Sequence, residues 1–546
     1  MKIIYENKEM DVEEGSKVKD ILKEKINNSD KRIIACMVNN EVKSLDFKIN
    51  KESRISLIDF THKDGKRIYI RGLLYIMGKA FSETYKDALL TVDYQLNNAM
   101  LCEVDNMEVT DEMIERVRNK MFEIVQKDIP IIKKEMTKEE AEEFYNREKT
   151  LKGKLQLDLR DNKDVTVYYC EDYFNYFYGV MPQSTGYIKV FDIIKYRDGF
   201  LIRYPSKDNP DQLGEYKEFN KLIETLDDYE KLHRILNVNT IYKLNTIVNE
   251  RKEKECILVD EALHEKRIIE IANQIKQRKN TKVILIAGPS SSGKTTFAKR
   301  LGIQLRLNGL KPVTISVDNY FLEREETPKD EFGKYDFESI NAIDLKLFND
   351  NLRKLIAGET ILAPTFDFIT GRKVYKGNTM SLSKDEVLVI EGIHCLNDEL
   401  TNEIDKNLKF KIYISALTVL NIDYYNRIST TDTRLIRRIV RDYNFRGYSA
   451  YHTLSMWDSV NRGENKNIFP YQEQADAMFN SSLVYELGIL RNYAMPLLLK
   501  IDNYQPEYSE AKRLYRLLSY FEPINPKFIP NQSLLREFIG GSVFEY

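Results

Sequence analysis

The chain has 546 residues, a formal net charge of −2 and 42% hydrophobic residues. This composition excludes a disordered tail protein, a collagen-like chain and a small disulfide scaffold. At about 150 residues per domain, the length predicts roughly three to four domains. The near-zero charge provides no global field that would attract nucleic acid or anionic lipid, although the basic stretch at residues 62–71 leaves RNA binding open.

The cysteines and the apolar runs bear on the cellular compartment. Five cysteines stand singly, without a CxxC pair, which is typical of reduced thiols and predicts a cytoplasmic protein. The first residues show no apolar signal-peptide core, and the longest apolar runs are too short to span a bilayer. We therefore expect no membrane partner.

The first part of the chain alternates short strands with one short helix. Strands are predicted at residues 2–5, 33–38 and 55–58, and a helix at residues 18–25. This pattern predicts a small β-rich domain of ubiquitin-like proportions in residues 1–62.

Residues 63–205 are predicted to form an α+β domain. A helix is expected at Arg71–Leu90, and a second helix after Thr110, whose side chain suits an N-cap. Thr137 and Glu140 have the spacing of a capping box, which predicts a third helix.

After residue 205 the sequence has two further segments with different patterns of polar and apolar residues. Residues 206–280 are polar and helix-rich and are interpreted as a helical connector. Residues 281–546 alternate short apolar strands with helices, which predicts an α/β domain with a parallel sheet covered on both faces. Its predicted strands are Val283–Ala287, Val313–Val317, Val387–Ile390, Lys411–Ile414 and Leu497–Ile501.

The strongest motif is GPSSSGKT at residues 288–295, between the first of these strands and a helix. Its glycines permit a tight turn, and the N–H groups of the loop and of the helix N-terminus can then face phosphate oxygens. Lys294 is expected to neutralise the β- and γ-phosphates, and the Thr295 hydroxyl to ligate Mg²⁺. The predicted ATP-binding residues are Gly288, Pro289, Ser290, Ser291, Ser292, Gly293, Lys294, Thr295 and Thr296.

Two acidic residues stand at the ends of later predicted strands. Asp318 follows VTISV, and Glu391 follows VLVI. Ligands gather outside the carboxyl ends of parallel strands. Asp318 therefore suits a base that accepts a proton from an attacking hydroxyl, and Glu391 suits Mg²⁺ or its water shell. Either acid could instead face solvent at a strand end.

The segment TDTRLIRRIVRD places four arginines at i, i+3, i+4 and i+7 on one helix face. They are Arg434, Arg437, Arg438 and Arg441. Four like charges on one face repel each other unless anions or acids meet them. An arginine lid over ATP phosphates fits this pattern, with Arg437 stabilising the transferred phosphoryl group. The alternative is a salt-bridged surface helix.

Residues 282–500 resemble the uridine kinase and phosphoribulokinase family of P-loop kinases. The blocks that carry the resemblance are GPSSSGKT, SVDNYF, YDFESINAID, APTFDF, VLVIEG and DTRLIRRIVRD, in this order. The resemblance implies ATP and Mg²⁺ as cofactors and Asp318 as the catalytic base. It also implies that Tyr320 shapes the acceptor pocket and that Asp336 holds ribose hydroxyls.

The parts that read the base differ from the family pattern. Phe366 and Asp367 stand in the family's YDF block and are assigned to the substrate site, but the histidine that follows in the family falls on Gly371. The family's Glu-Pro pair appears as Phe469-Pro470. The phosphoryl-transfer residues thus follow the family more closely than the base-reading residues do.

The N-terminal half resembles parts of threonyl-tRNA synthetases. Residues 1–62 are similar to the TGS domain, which implies a β-grasp-like fold. Residues 63–205 are similar to the synthetase's editing domain through VTDEMIERVRNKMFEIVQKDIPIIKKEMTKEEAEEFY and QSTGYIKVFDI. The family's four polar editing positions fall on Tyr75, Lys79, Phe177 and Met181. This set cannot form the metal or general-base site of that family, so the resemblance implies a scaffold or binding module.

Three functions follow from these observations. The leading hypothesis is ATP-dependent phosphorylation of a nucleoside 5′-hydroxyl, in the manner of uridine and cytidine kinases, with N-terminal modules of binding or regulatory role. A second hypothesis keeps the kinase and changes the acceptor to another hydroxyl compound, such as a sugar phosphate. A third is an RNA- or nucleotide-responsive regulator with its effector on the N-terminal modules. We expect a small-molecule substrate and a homo-oligomer.

Overall fold

The structure is a computed structural model that describes residues 1–147, 164–329, 331, 333, 335–367 and 370–545. Its strands form two antiparallel sheets, a mixed sheet, a fully parallel sheet and two short two-stranded pairs. In the part of the chain that the structure describes, no helix is long and apolar enough to cross a membrane.

The N-terminal sheet has five strands in the order β2-β1-β5-β3-β4. Its elements are β1 (Lys2–Tyr5), β2 (Lys8–Asp11), α1 (Val18–Ile21), α2 (Lys23–Asn27), β3 (Ile33–Val38), β4 (Glu41–Lys43) and β5 (Ser53–Asp59). The β1–β2 hairpin turns through Glu6 and Asn7 at φ 49° and 61°, the left-handed pair that matches strand twist. β1 and β5 are parallel, and the other pairs are antiparallel. The predicted strands are confirmed.

Helix α3 (Lys63–Thr84) follows this sheet and packs against Ile58 and Phe60. It begins and ends earlier than the predicted Arg71–Leu90. The ring of His62 accepts a hydrogen bond from Asp64 N at 3.2 Å, which caps the helix. The middle of α3 is buried on all faces, so apolar periodicity does not mark its ends.

Two antiparallel sheets follow, in the orders β11-β12-β7-β6 and β10-β9-β8. Their elements are β6 (Leu90–Leu96), β7 (Ala99–Val104), α4 (Asp111–Gln126), β8 (Ile132–Thr137), α5 (Lys138–Arg147), β9 (Asp164–Cys170), β10 (Tyr173–Asn175), β11 (Asp192–Tyr196) and β12 (Gly199–Arg203). Both predicted caps are confirmed. Thr110 accepts from Met113 N at 3.2 Å, and Thr137 and Glu140 exchange backbone-to-side-chain bonds of 2.9 and 3.2 Å.

The helical connector packs against the C-terminal half. Its helices are α6 (Asn220–Ile235), α7 (Ile241–Asn249) and α8 (Glu253–Gln277). The Tyr229 hydroxyl donates to Asn480 O at 2.8 Å, and His264 Nε2 lies 3.1 Å from Ser482 O. Burial lowers the pKa of His264 to about 4, so this ring is neutral near pH 7.

A parallel sheet of order β14-β19-β13-β20-β21 forms the centre of the C-terminal half. Its strands are β13 (Val283–Ala287), β14 (Lys311–Ser316), β19 (Glu386–Glu391), β20 (Lys409–Ser415) and β21 (Ala477–Asn480), and the short strands are β15 (Ile361–Leu362), β16 (Thr365–Asp367), β17 (Arg372–Val374) and β18 (Thr379–Met380). The helices are α9 (Lys294–Leu307), α10 (Leu345–Ile356), α11 (Thr430–Arg446), α12 (Ala450–Asn467), α13 (Glu486–Leu498), α14 (Tyr508–Leu518) and α15 (Arg536–Ile539). The predicted parallel sheet is confirmed.

One predicted strand of this sheet is wrong. Residues 497 and 498 end helix α13 and are buried in the core, and the fifth strand is β21 instead. A short apolar run such as LLLKI has no periodicity that separates a strand from the last turn of a buried helix. β21 has only four residues, which is too short to give a clear pattern.

A chain of partly buried ion pairs joins α3 to the C-terminal half. Arg67 donates to both carboxylate oxygens of Glu510 at 2.7 and 3.0 Å. Glu510 also accepts from Arg513, and Arg513 reaches both oxygens of Asp432 at 2.6 and 2.8 Å. The two arginines hold the pKa of Glu510 far below its ordinary value despite its burial, so the carboxylate is ionised.

We expect Glu510→Gln to lower the free energy of unfolding by about 3 kcal/mol, because two partly buried guanidinium groups lose the charge of a buried carboxylate. Glu41→Gln is the matched control, since Glu41 bonds Lys512 of the same helix α14 at 2.8 Å in a more exposed pair. Its expected cost is below about 1 kcal/mol. Guanidinium unfolding of both variants measures the difference, and equal midpoints would contradict this account.

Candidate active site

The loop between β13 and α9, residues 288–293, is called the P-loop below. A Cβ on Gly288 would lie 2.0 Å from the carbonyl oxygen of Ile414, so only glycine fits there. Ser291 and Gly293 have left-handed backbones, with φ of 59° and 86°. A loop of this kind before a helix N-terminus presents backbone N–H groups to an anion.

Lys294 and Thr295 begin α9 and meet the P-loop and strand β19. The Lys294 ammonium donates to the carbonyl oxygens of Gly288 at 2.9 Å and Pro289 at 3.2 Å, which holds it over the P-loop. The Thr295 hydroxyl lies 3.3 Å from each carboxylate oxygen of Glu391. The two residues predicted to serve a metal are therefore in contact.

The carboxyl ends of β14 and β19 place Asp318 near Glu391. Ser316 pairs with Glu391 in the sheet register, and Asp318 follows in a 3-10 turn at Val317–Tyr320. Desolvation raises the pKa of Asp318 and the charges of Lys294 and Arg446 lower it, and the residue is exposed to solvent. Desolvation and the charge of Asp318 raise the pKa of Glu391 to about 7 against the opposing charge of Lys294.

The donor atoms at this edge suit Mg²⁺. Thr295 and Glu391 offer a hydroxyl and a carboxylate, and Mg²⁺ prefers such oxygens together with phosphate and water. In the described residues, no group of three or more His, Cys, Asp or Glu side chains could hold a metal ion. Thr295 and Glu391 would therefore hold Mg²⁺ only with oxygens that a nucleotide and water supply.

The predicted arginine lid needs correction, because two of its members are buried structural residues. Arg434 pairs with Glu464 at 2.5 and 2.9 Å, and Arg437 pairs with Glu486 at 2.5 and 3.0 Å. Each of these arginines is at most 1% exposed. The charge of Arg437 is thus neutralised inside the protein, and its predicted role at the transferred phosphoryl group does not fit this placement.

The same arginines hold the P-loop from outside. Arg434 donates to Ser290 O at 3.3 Å, Arg437 donates to Ser291 O at 3.4 Å, and Ser290 N donates to Glu464 at 2.8 Å. The acids Glu464 and Glu486 lie on α12 and α13, far along the sequence. No local pattern in the arginine motif could have identified them.

The other two predicted lid residues lie nearer to solvent. Arg438 donates to the Ser290 hydroxyl at 2.9 Å and pairs with Asp442 at 3.2 Å. Arg441 also pairs with Asp442, at 2.8 Å. Of the α11 arginines, Arg446 is the one whose charge lowers the pKa of Asp318, and the motif analysis missed it.

The four predicted substrate residues separate into two kinds. Tyr320 is 2% exposed, packs edge-on against Phe348 and accepts from Asn351 at 3.2 Å, so it supports the core rather than the substrate. Phe366 is buried as well. Asp336 and Asp367 are partly exposed. The substrate roles of all four residues remain predictions.

The C-terminal helix α15 covers one end of the P-loop. Leu534 is 1% exposed, and a Cβ on Gly293 would lie 2.4 Å from its Cδ2. Glu537 accepts from Thr296 N at 3.2 Å and from the Thr296 hydroxyl at 2.7 Å. A carboxylate of the chain itself therefore bonds an N–H group at the N-terminus of α9, where an anion is favoured.

We expect Glu537→Ala to tighten ATP binding several-fold, because a phosphate would no longer compete with a carboxylate for Thr296 N. Glu537→Gln is the matched control, since it keeps the size but removes the charge, and its effect should be intermediate. Calorimetric titration with ATP measures both variants. An unchanged or weaker affinity of Glu537→Ala would show that this contact does not compete with nucleotide.

Comparison with known proteins finds two kinds of enzyme that resemble parts of this chain. A threonine–tRNA ligase of Clostridium kluyveri is 27% identical over 197 residues, which is 36% of this chain and 31% of the ligase. The chain thus spans about a third of the length of the ligases that it matches. A solved structure of a possible uridine kinase from Bacillus stearothermophilus shares 22% identity, covers 39% of this chain and 97% of that chain, and has a TM-score of 0.27.

The kinase relatives match more completely. The phosphoribulokinase/uridine kinase family matches residues 283–486. A uridine kinase of Macrococcus caseolyticus is 28% identical over 36% of this chain and 86% of that enzyme. A uridine kinase of Ureaplasma parvum is 31% identical over 33% of this chain and 80% of that enzyme. Through this segment, the chain belongs to the phosphoribulokinase/uridine kinase family.

Proposed function

We propose that the protein is an ATP- and Mg²⁺-dependent kinase that phosphorylates the 5′-hydroxyl of a nucleoside. The observation that carries this proposal is the arrangement of Lys294, Thr295, Glu391 and Asp318 around the P-loop, at the carboxyl ends of parallel strands. Such an edge is where open α/β sheets bind ligands.

The P-loop would bind the phosphates of ATP. Its backbone N–H groups and the N-terminus of α9 supply partial positive charge, and Lys294 can move from the carbonyls of Gly288 and Pro289 to the phosphates. Mg²⁺, when bound, neutralises charge on the β- and γ-phosphates. Thr295 and Glu391 are the residues that would hold it, with Glu391 in its ionised form.

Asp318 would remove the proton of the attacking hydroxyl. The charge of Lys294 acts on Asp318, and the raised pKa of this carboxylate makes it a stronger base than an ordinary aspartate. As the hydroxyl oxygen bonds to the γ-phosphorus, the proton passes to a carboxylate oxygen of Asp318 and ADP leaves. Asp336 and Asp367, which are partly exposed, would hold the sugar hydroxyls.

The N-terminal half would act as a non-catalytic binding or scaffold module. The positions that correspond to the synthetase editing residues are filled by core side chains. Tyr75 donates to Tyr168 O at 2.8 Å and its ring contacts Phe177, while Lys79 pairs with Glu83 and Glu171. Met181 is 3% exposed. The sheet of β1–β5 supports a β-grasp-like, TGS-like assignment, and the division at residues 62, 205 and 280 is part of this proposal.

Purified protein with ATP and Mg²⁺ should convert a nucleoside, from a panel of uridine, cytidine, adenosine and guanosine, to its 5′-monophosphate. Asp318→Asn is expected to lower kcat at least about 100-fold while ATP affinity stays near that of the natural protein. Asp385→Asn is the matched control, because Asp385 precedes the opposite end of β19 and pairs with exposed Lys311. Activity should fall as pH decreases through the raised pKa of Asp318, at a higher pH than an ordinary aspartate would cause.

Mass spectrometry of the product and the release of ADP measure this activity. If the protein phosphorylates a pentose phosphate but no nucleoside, the proposed nucleoside acceptor is wrong. The assignment as a kinase would still be right. Full activity of Asp318→Asn would show that another group takes the proton.

A further inference from the structure

The loop between strand β20 and helix α11, residues 416–429, is anchored in the N-terminal half. We call it the anchor loop. Its Tyr425 is 5% exposed and belongs to the apolar core that surrounds helix α3. The ring meets Phe177 edge-on with 6.0 Å between the ring centres, and a Cβ on Gly78 would lie 3.2 Å from Tyr425 Cε1. A side chain of the kinase segment is therefore packed inside the core of the N-terminal half.

Hydrogen bonds fix the backbone of the anchor loop as well. Val92 N of strand β6 donates to Tyr424 O at 2.8 Å, and Asn421 Nδ2 donates to Val92 O at 3.0 Å. Arg427 Nε donates to Asp93 O at 2.7 Å. Since β6 is the edge strand of its sheet, these bonds cover backbone groups that an edge would otherwise leave unpaired. The loop is thus attached to the edge of this sheet, and it leads directly into α11.

A second anchor reaches the first turn of α11 from helix α3. Arg67 binds the Glu510 carboxylate of α14 at 2.7 and 3.0 Å, and Glu510 also accepts from Arg513 at 2.7 Å. Arg513 then reaches both oxygens of Asp432, in the first turn of α11, at 2.6 and 2.8 Å. Both carboxylates are buried. Two separate sets of contacts with the N-terminal half therefore hold the beginning of α11.

The position of α11 matters for the nucleotide because this helix contacts the P-loop. Arg434 donates to Ser290 O at 3.3 Å. Arg437 donates to Ser291 O at 3.4 Å. A shift of α11 would break these bonds or displace the loop backbone, together with the N–H groups that would face phosphate. Close-packed helices transmit such shifts, and small misplacements of binding groups are costly.

We propose that the N-terminal half is part of the nucleotide-binding machinery, with Tyr425 and Arg67 as positioning residues for the P-loop. Both act through α11. Tyr425 fixes the loop that precedes the helix, and Arg67 fixes the first turn of the helix. This inference rests on the proposed ATP site but not on the identity of the acceptor. It gives the N-terminal half a role in setting nucleotide affinity.

Arg67→Gln and Arg118→Gln are compared on the full chain. Both arginines are partly exposed and ion-paired, but Arg118 pairs with Asp192 at 3.1 Å within the N-terminal half. Calorimetric titration with Mg²⁺ and a non-hydrolysable ATP analogue measures nucleotide affinity without any acceptor. Arg67→Gln is expected to weaken binding about fivefold, and Arg118→Gln to leave it unchanged. Arg67→Lys keeps the charge but not the forked contact, so its affinity should be intermediate.

Tyr425→Ala tests the other anchor. Its matched control is Tyr69→Ala, because Tyr69 is 2% exposed in the same core and its hydroxyl donates to Val190 O at 2.8 Å, within the N-terminal half. Both substitutions should lower the midpoint of thermal unfolding. Only Tyr425→Ala should also weaken binding of the analogue, again about fivefold. If Tyr425→Ala does not fold, the comparison of Arg67→Gln with Arg118→Gln decides.

The proposal is overturned if Arg67→Gln and Tyr425→Ala bind the analogue as tightly as the natural protein does. It is also overturned if the two controls lose as much affinity, because the effect would then be general destabilisation. A natural protein that binds the analogue but phosphorylates no nucleoside would refute the proposed acceptor alone. A natural protein that binds no nucleotide would refute both the kinase assignment and this proposal.

Discussion

Two buried ion pairs from one helix hold the P-loop, and the rest of the site is arranged around them. Arg434 with Glu464 and Arg437 with Glu486 are almost fully excluded from water, and both arginines also donate to P-loop carbonyls. Leaving one such charge unpaired costs about 3–5 kcal/mol, so the pairing of these arginines with these glutamates is strongly favoured. The loop backbone is thus positioned by α11, while Lys294 and the N–H groups of Ser290 and Thr296 would exchange their present partners for a phosphate.

The same helix is also one of the places where the two halves of the chain meet. Asp432, in the first turn of α11, accepts from Arg513, and the ion-pair chain continues through Glu510 to Arg67 of α3. On the other side, the ring of Phe538 lies 5.1 Å from the Arg437 guanidinium. The N-terminal half and the C-terminal helix therefore both contact the element that fixes the P-loop. The kinase segment of this chain is built into a larger packed structure.

Local patterns predicted the elements that depend on local physics. Strand β13, the Thr137–Glu140 capping box and the P-loop follow from apolar runs, cap chemistry and glycine geometry. The meeting of Thr295 with Glu391 follows from one topological rule about parallel strand ends. The partners of the α11 arginines and the Glu537 contact could not be predicted, because each joins residues from separate helices. The burial of Tyr320 could not be predicted either, because an aromatic residue has the same sequence signature in a core and in a pocket wall.

The central claim is that the P-loop, Thr295 and Glu391 together hold a magnesium nucleotide beside Asp318. The most direct test is a crystal structure of the protein with Mg²⁺ and a non-hydrolysable ATP analogue. The account predicts a triphosphate along residues 288–296, with the metal next to Thr295 and Glu391 and the γ-phosphate facing Asp318. A nucleotide bound elsewhere, or a metal that contacts neither Thr295 nor Glu391, would contradict it.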